Sequence, residues 1–328
     1  MLTVARTQEL IERFGALNVL VAGDLMLDEF LWGNVTRISP EAPVPVVEVT
    51  GQSFYAGGSA NVARNLAEFT RGVRVMGLCG ADEQGQMLRR LLTEAGMDVS
   101  GIVDDPARRT ILKTRVVARH QQVVRIDREA RMTPTGEQSA ELVALLEEML
   151  PTVDAVILSD YAKWFLTQPF VSALCAGAAR LRRIVTVDPS PRNPLLWEGV
   201  TAVKPNLKEA RAASGLGDDA DSRQAGEALL SRWGAGMVLI TMGEHGMELF
   251  RPGHAPYHTP TRAREVFDVS GAGDTAIALF TLGLAAGATP EEAAELANHA
   301  SGVAVGKLGT ATVTPQELLG SASRMSEG

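Results

Sequence analysis

The chain has 328 residues, of which 45% are hydrophobic and 5% aromatic, so it can bury one large α/β core. Its formal net charge of −8 argues against binding to nucleic acid or to an anionic membrane, and any anionic ligand needs a local site. The two cysteines, Cys79 and Cys175, form no disulfide or zinc motif, which fits a cytoplasmic location.

Short runs rich in β-branched residues recur along the chain and predict buried strands. In chain order they cover residues 18–23, 73–78, 155–160, 183–188, 201–206 and 237–242. Helical patterns lie between most of them, for example at 137–150 and 172–181. This alternation predicts an α/β fold with a mainly parallel central sheet, helices on both faces, and ligands at the carboxyl ends of the strands.

Two extended segments interrupt the alternation. Residues 30–54, which include prolines 40, 43 and 45, and residues 108–128 show no helical pattern. Together they predict a small β-sheet that projects from the main domain as a lid. Residues 1–328 contain no linker or repeat, so we expect a single domain. The apolar stretch VPVVEV of the lid favours pairing with a second copy in a homodimer.

Three short motifs that follow predicted strands or turns offer polar side chains near the edge of the sheet. GDLMLDEF contains Asp24 and Asp28, GGSAN ends in Asn61, and KPNLKE contains Asn206 and Glu209. Each has a structural explanation: acids at a helix N-terminus, a tight turn, and a capping box. Taken singly, the motifs leave the structural and the functional interpretations open.

The stretch DVSGAGDT, residues 268–275, is harder to explain by structure alone. A Gly-Ala-Gly turn that leads into a helix presents unpaired backbone N–H groups and the positive end of the helix dipole, which suit a phosphate. The acid at Asp274 would repel that phosphate unless it takes a proton from the group that attacks it. The stretch therefore predicts phosphoryl transfer.

The motifs GDLMLD, GGSAN, KPNLKE, TMGEHG and DVSGAGDT, in this order, resemble those of the ribokinase superfamily of sugar kinases over essentially the whole chain. RISPEAPVPVVEV, TRVVARHQQVVRID, LSDYAK and GVAVGKLGTATV are similar to the heptose 7-phosphate kinases of the ADP-heptose pathway, which makes a lipopolysaccharide core precursor. The resemblance implies a ribokinase-like fold and ATP-dependent phosphorylation at C1 of D-glycero-β-D-manno-heptose 7-phosphate, giving the 1,7-bisphosphate.

Two other functions compete with this one. One is a kinase of the same superfamily for a different sugar or sugar phosphate. The other is a catalytically silent sugar-binding or nucleotide-binding regulator, against which the retention of Asp274 and the whole glycine turn speaks. No HxGH nucleotidyltransferase signature occurs in the sequence, so the resemblance is to a stand-alone kinase rather than to a bifunctional form.

The resemblance also implies catalytic and metal-binding residues. Asp274 is expected to be the general base, and the anion hole is expected to consist of the N–H groups of Gly271, Ala272 and Gly273. Asn206 and Glu209 match a motif that organises Mg²⁺ and the phosphates of ATP. Asp268 matches a position at which relatives hold a monovalent cation such as K⁺.

The ligand-binding residues follow in the same way. The nucleotide is expected to contact Thr241, Gly243, Gly246 and Asn298. The hydroxyl groups of the sugar are expected to contact Asp28, Gly58 and Asn61.

The end of the sugar that is distant from C1 is where the sequence departs from the heptose kinases. Ser190, Pro191 and Arg192 follow the DP of RIVTVDP, where a lysine and a glycine are usual; Trp164 replaces a glycine, and His120 an asparagine. We expect a cationic clamp for the distant phosphate, drawn from Arg119, Arg125, Lys163 and Arg192. The first two are six residues apart in an extended segment, which predicts a shared face. Solvated surface charges are the alternative.

Overall fold

Two β-sheets, one of nine strands and one of four, organise the described part of the chain. The structure is a computed structural model that describes residues 2–119, 121–129, 131–263, 266–307 and 309–323. Its strands are β1 (Asn18–Gly23), β2 (Leu25–Ile38), β3 (Pro45–Gly58), β4 (Gly72–Gly80), β5 (Asp98–Asp105), β6 (Ile111–Ala118), β7 (Gln121–Arg128), β8 (Ala155–Ser159), β9 (Ile184–Asp188), β10 (Ala202–Val203), β11 (Val238–Thr241), β12 (Met247–Phe250) and β13 (Tyr257–Thr259).

Helices connect most strands of the larger sheet. They are α1 (Val4–Phe14), α2 (Ser59–Ala67), α3 (Glu83–Glu94), α4 (Gly136–Met149), α5 (Gln168–Leu181), α6 (Leu207–Ser214), α7 (Ser222–Trp233), α8 (Ala272–Ala285), α9 (Pro290–Ala304) and α10 (Pro315–Ser323). Short 3-10 turns cover Leu150–Thr152 and Gly243–His245. No described helix has both the length and the apolar character that a membrane span requires.

The nine-stranded sheet is mainly parallel, which confirms the predicted class. Its order is β13-β12-β11-β10-β9-β8-β1-β4-β5. β12 pairs antiparallel with β11, and β13 with β12, whereas the other pairs are parallel. The predicted strand at 201–206 shortens to Ala202–Val203. Pro205, which has no N–H to donate, lies just beyond this strand.

Alternate residues of β1 face two separate hydrophobic cores, one on each side of the sheet. Val19 and Val21 pack among residues of α1, α2, α8 and α9, whereas Leu20 and Ala22 pack among residues of α4, α5 and α7. This is the burial on both faces that a parallel sheet requires. Helix α8 is buried at every position from Thr275 to Gly283, so the longest apolar run of the sequence is a central helix of the domain.

The smaller sheet has the order β3-β2-β6-β7 and contains most of the predicted segments 30–54 and 108–128. One of its faces is buried by residues such as Leu27, Leu112 and Val116. The opposite face carries Asp28, whose neighbours across the strands are Tyr55 and Lys113. Because residues directly opposite in a sheet share a face, these polar groups lie on one surface.

Gly23 ends β1 at the point where β1, β8 and α2 meet. A methyl group on Gly23 would overlap the carbonyl oxygen of Ser159 and the Oγ of Ser59. The Oγ of Ser59 also donates to that carbonyl at 3.1 Å. The carboxyl end of β1 therefore has no room for a side chain.

We predict that Gly23→Ala lowers the free energy of unfolding by about 3 kcal/mol, because backbone atoms would have to move. Gly136→Ala is the matched control, since a methyl group at this first residue of α4 meets no atom within 4 Å. Chemical denaturation measures both variants. Equal stability of the two variants would contradict this account of Gly23.

Candidate functional site

The carboxyl ends of four neighbouring parallel strands bring charged side chains to one edge of the large sheet. Asp24 follows β1, Asp160 follows β8, Asp188 ends β9, and Lys204 follows β10. The first turn of α8 meets the same edge, because a methyl group on Gly273 would lie 3.5 Å from Lys204 Nζ. The predicted position of ligands at this edge therefore coincides with the DVSGAGDT turn.

Asp274 lies in the first turn of α8 with both carboxylate oxygens hydrogen-bonded. Asn61 Nδ2 donates to Oδ2 at 2.7 Å, and the Tyr161 hydroxyl donates to Oδ1 at 2.5 Å. Burial raises the pKa of Asp274 to about 6, although these two donors oppose the shift, and the nearby Asp188 adds to it. A carboxylate whose pKa lies near neutrality is suited to accept a proton during catalysis.

The predicted anion hole begins with a glycine in the left-handed region. Gly271 has φ of +80° and precedes α8 without a side-chain cap, so first-turn N–H groups of the helix remain for a ligand. The N–H of Ala272 is an exception, since it donates to the Val269 carbonyl at 3.3 Å. Beside the turn, Lys204 Nζ lies 3.0 Å from Asp188 Oδ1 and adds positive charge where an anion is expected.

Asp24 is buried beneath this site and binds backbone rather than facing the cleft. Its carboxylate accepts N–H groups of Tyr161 at 2.9 Å, Lys163 at 2.9 Å and Phe165 at 3.1 Å. Burial raises the pKa of Asp24 in spite of these donors. Of the two acids in GDLMLDEF, Asp24 thus organises the loop after β8.

That loop holds two residues in the left-handed region, Ala162 with φ of +56° and Trp164 with φ of +75°. Glycine adopts this conformation without strain, which gives a backbone reason for the glycine that is usual at position 164. Trp164 is 43% exposed, so burial of the ring does not offset the strain of its backbone.

Asp28 and Asn61, both predicted to bind the sugar, belong to different elements that meet at the site. Arg115 Nη1 lies 2.5 Å from Asp28 Oδ1, and the Arg115 guanidinium lies 5.3 Å from the ring centroid of Phe30. Gly58, the third predicted residue, joins β3 to α2 immediately before the helix that carries Asn61. Arg64 Nη1 donates to Asn61 Oδ1 at 3.3 Å, which leaves the amide nitrogen of Asn61 for Asp274.

The expectation that Arg119 and Arg125 lie on one strand face is wrong. Arg119 is in the turn between β6 and β7 with φ of +49°, so the chain reverses between the two arginines. Arg125 lies on β7 directly opposite Arg115, on the same face as Asp28, and forms an ion pair with Asp127 at 2.9 Å.

The other two predicted cations differ in burial. Lys163 is buried and its Nζ lies 2.5 Å from Glu129 Oε1, whereas Arg192 is exposed in the turn after β9. Lys113, which sequence reasoning missed, lies beside Asp28 in the sheet, and burial lowers its pKa. His120 lies outside the described residues.

Asn206 and Glu209 form the capping box of α6. The Asn206 side chain accepts the Glu209 N–H at 2.9 Å, and the Glu209 carboxylate accepts the Asn206 N–H at 2.9 Å. Burial raises the pKa of Glu209, and the nearby Asp188 adds to the shift. The structural explanation of this motif is therefore confirmed, and it does not exclude a metal, because one carboxylate oxygen of Glu209 lies outside the cap.

The residues predicted to contact the nucleotide border one cleft of about 660 Å³, together with Ala272 and Gly273 of the α8 turn. The predicted members of its lining are Thr241, Gly243, Gly246 and Asn298. Asn298 forms part of the wall of the cleft, because its side-chain N–H groups donate to the Pro260 carbonyl at 2.7 Å and to Thr259. The cleft ends at the anion site, which is where the phosphates of a bound nucleotide would be needed.

Asp268, the predicted neighbour of a monovalent cation, ties two loops together. Its oxygens accept the N–H groups of Ser270 at 2.9 Å and Gly309 at 3.1 Å. Burial opposes ionisation, but these N–H groups hold the pKa of Asp268 below its usual range. Asp268 is therefore a stable negative charge next to the α8 turn. Among the described residues no group of three His, Cys, Asp or Glu side chains is placed to hold a metal ion.

Besides Lys113, sequence reasoning missed Tyr161, Lys204 and Arg115, which the fold also brings to the site. Tyr161 directly follows the predicted strand 155–160 and Lys204 lies within the predicted strand 201–206, so a position at or near the end of a strand was an available signal. Arg115 offered no such signal. Only the pairing of β2 with β6 brings it to Asp28.

Comparison with known proteins gives matches over nearly the whole chain. The family model described as pfkB family carbohydrate kinase matches residues 16–317. The bifunctional protein HldE of Trichlorobacter lovleyi is 45% identical over 318 residues, covering 96% of this chain and 65% of that protein. HldE of Geobacter metallireducens is 46% identical over 307 residues, covering 93% of this chain and 63% of that protein. The chain thus spans less than two thirds of these relatives.

Solved structures share the fold. A ribokinase from Thermotoga maritima has a TM-score of 0.73 at 22% identity and covers 94% of this chain and 99% of its own. Phosphofructokinase-2 from Escherichia coli, solved in complex with potassium, has a TM-score of 0.76 at 20% identity with coverage of 94% and 99%. An Arabidopsis thaliana ribokinase complexed with ribose and ATP has a TM-score of 0.73 at 18% identity with coverage of 93% and 98%. These likenesses confirm the predicted ribokinase-like fold.

Proposed function

The chain belongs to the pfkB family of carbohydrate kinases, and we propose from this premise that it transfers the γ-phosphoryl group of ATP to the C1 hydroxyl of a heptose 7-phosphate. The observation that carries the proposal is Asp274, a carboxylate of raised pKa at the start of α8, between Asn61, Tyr161 and the Lys204–Asp188 pair. The product of this reaction is the 1,7-bisphosphate.

For phosphoryl transfer, the protein mainly has to position the reacting groups and to stabilise the negative charge. Asp274 accepts the proton of the sugar hydroxyl as that oxygen attacks the γ-phosphorus and ADP leaves. The N–H groups of Gly271 and Gly273 at the start of α8, together with the ammonium of Lys204, stabilise the negative charge of the transferred group. The cleft beside Thr241 and Gly243 holds the rest of the nucleotide.

A divalent metal, proposed to be Mg²⁺, fits the residues beside the turn. Mg²⁺ in kinases takes one or two carboxylates together with phosphates and water rather than a cage of protein ligands. Glu209, with Asn206 at its side and Asp188 nearby, offers such a limited set. When bound, the metal neutralises charge on the phosphates of ATP. We propose a K⁺ or another monovalent cation beside Asp268, supported by its stable negative charge and by the potassium complex of the E. coli neighbour.

The heptose assignment rests on the sequence resemblance and on the identity of 45% to HldE over 96% of this chain. We propose that a phosphate clamp accompanies it. Lys113, Arg115 and Arg125 lie on the face of the small sheet that carries Asp28, and Lys163 lies near Lys113, which supports a proposed clamp for the far end of the sugar. The second candidate is a kinase for a different sugar or sugar phosphate; it rests on Trp164 and the sequence from Ser190 to Arg192, and the HldE relatives do not favour it.

We propose that residues 1–328 include one kinase domain in which the small sheet is the lid. We also propose a homodimer formed through that sheet, because its two edge strands, β3 and β7, expose apolar side chains such as Val49, Val124 and Ile126. A solution mass equal to one chain would contradict the dimer. A cytoplasmic location is supported by the free cysteines Cys79 and Cys175.

We predict that Asp274→Asn lowers kcat by about 10²-fold or more, the usual scale for loss of a general base, while ATP binding changes little. In the wild type, kcat should fall as the pH drops below about 6, because protonation removes the acceptor. Steady-state rates and nucleotide titration measure both effects. Near-wild-type turnover of Asp274→Asn would remove the base role.

We predict that Glu209→Gln raises the Mg²⁺ concentration for half-maximal activity about tenfold while the KM for the sugar changes little. The substitution removes the charge but keeps the cap, since α4 and α7 already use Gln138 and Gln224 in the same position of their capping boxes. The melting temperature should therefore stay near that of the wild type.

Asp221→Ala in the capping box of α7 is the matched control for cap loss. It should lower stability by about 1 kcal/mol and leave the Mg²⁺ dependence unchanged. If Glu209→Gln also left the Mg²⁺ dependence unchanged, the residue would be a cap alone.

We predict that the wild type prefers heptose 7-phosphate over unphosphorylated heptose by about 10²-fold in kcat/KM, because a clamped phosphate forms more than one charge-assisted hydrogen bond. Lys113→Met and Arg192→Ala should each reduce this preference about tenfold. Arg223→Ala, at an exposed position of α7, is the control. Equal use of both sugars by the wild type would reject the clamp and favour the second candidate.

A further inference from the structure

Tyr161 is placed to act on the general base without contacting the reacting atoms. It follows Asp160 directly after β8, and its hydroxyl lies 2.5 Å from Asp274 Oδ1. Two independent anchors fix it, the Asp274 carboxylate at the hydroxyl end and the Asp24 carboxylate at its backbone N–H. Tyr161 lies in the motif LSDYAK, but the resemblance implies no function for it.

We infer that Tyr161 is a positioning residue that fixes the orientation of the Asp274 carboxylate and favours its ionised form. The inference rests on the proposed function, in which Asp274 is the base. A carboxylate on a side chain can rotate, and a base is effective only when a free lone pair faces the attacking hydroxyl. Tyr161 holds one oxygen and Asn61 the other, so the plane of the carboxylate is set from two sides.

The two donors differ in what else they do. Asn61 is expected to contact the sugar, so its amide serves both the substrate and the base. Tyr161 is not among the residues expected to contact the sugar; its hydroxyl donates to Asp274, and burial, followed by the charges of Asp274 and Asp188, raises its pKa well above the usual value. It therefore stays a protonated donor wherever Asp274 titrates.

The charged groups around Asp274 determine how the loss of the Tyr161 donor would change the pKa of Asp274. Asp188 disfavours the ionised carboxylate, and Lys204, paired with Asp188, favours it. Arg64 donates to Asn61 Oδ1 and to the Thr310 carbonyl. With Tyr161 removed, one donor to the carboxylate is lost while burial and Asp188 remain, so the proton is held more tightly.

The first test compares rates from about pH 5 to pH 9 for the wild type, Tyr161→Phe and Tyr257→Phe. In Tyr161→Phe, the acid limb of the kcat profile should lie about one pH unit higher and kcat at pH 7 should fall about tenfold, with the KM for ATP within about twofold. Tyr257→Phe is the matched control, because its hydroxyl donates to the carboxylate of Glu295 away from the cleft. It should keep the wild-type acid limb. An unshifted acid limb in Tyr161→Phe would overturn the inference.

A double-mutant cycle separates positioning from a general effect on the fold. Adding Tyr161→Phe to Asp274→Asn should lower kcat no further than about twofold, because the interaction is already gone. Losses that multiply would show that Tyr161 acts elsewhere. If Asp274→Asn itself retained wild-type turnover, the proposed function would fail, whereas an inactive Asp274→Asn beside an unaffected Tyr161→Phe would reject this inference alone.

A second measurement needs no substitution at Tyr161. The sequence has three tyrosines, so 3-fluorotyrosine labelling gives three ¹⁹F resonances. One resonance should titrate with the carboxylate of Asp274, with a midpoint near its pKa of about 6, and this titration should vanish in Asp274→Asn. Absence of any resonance that titrates in this way would overturn the inference.

Discussion

The carboxylate of Asp24 holds the loop after β8 in place, and the rest of the site depends on that loop. A buried charge is costly unless it is hydrogen-bonded, and three backbone N–H groups from Tyr161, Lys163 and Phe165 satisfy it. The same bonds offset the strain of Ala162 and Trp164, whose left-handed conformations would otherwise disfavour this path. One interaction thereby connects the core of the sheet to Asp274, the proposed base.

The charges around α8 balance one another at close range. Asp274 and Asp188 are both partly buried acids, and burial raises the pKa of each. Lys204 offsets the negative charge, and the N-terminus of α8 adds a partial positive charge at the same place. An incoming phosphate would thus find a site in which positive groups are already fixed, while Asp274 keeps a pKa that allows it to exchange a proton. Fixed charges of this kind need no rearrangement during the transfer.

Local patterns predicted those features that depend on neighbours in the sequence. The alternation of apolar runs and helical patterns gave the parallel sheet, because burial on both faces selects for it. The Asn206–Glu209 box formed as a cap, since its partners are three residues apart. The Arg119–Arg125 expectation was wrong because a turn separates β6 from β7, and alternation holds only within one strand. The roles of the predicted ligand-binding residues remain predictions.

The sequence by itself determined the class of fold, the edge of the sheet at which the candidate site lies, and the acid in the glycine turn, because strand periodicity and the chemistry of a helix N-terminus are local properties. Only the tertiary structure decided the partners of that acid. Asn61 and Tyr161 lie 213 and 113 residues from Asp274, and Arg115 lies 87 residues from Asp28. Contacts over such separations depend on the order and register of the strands, which no short window of sequence contains.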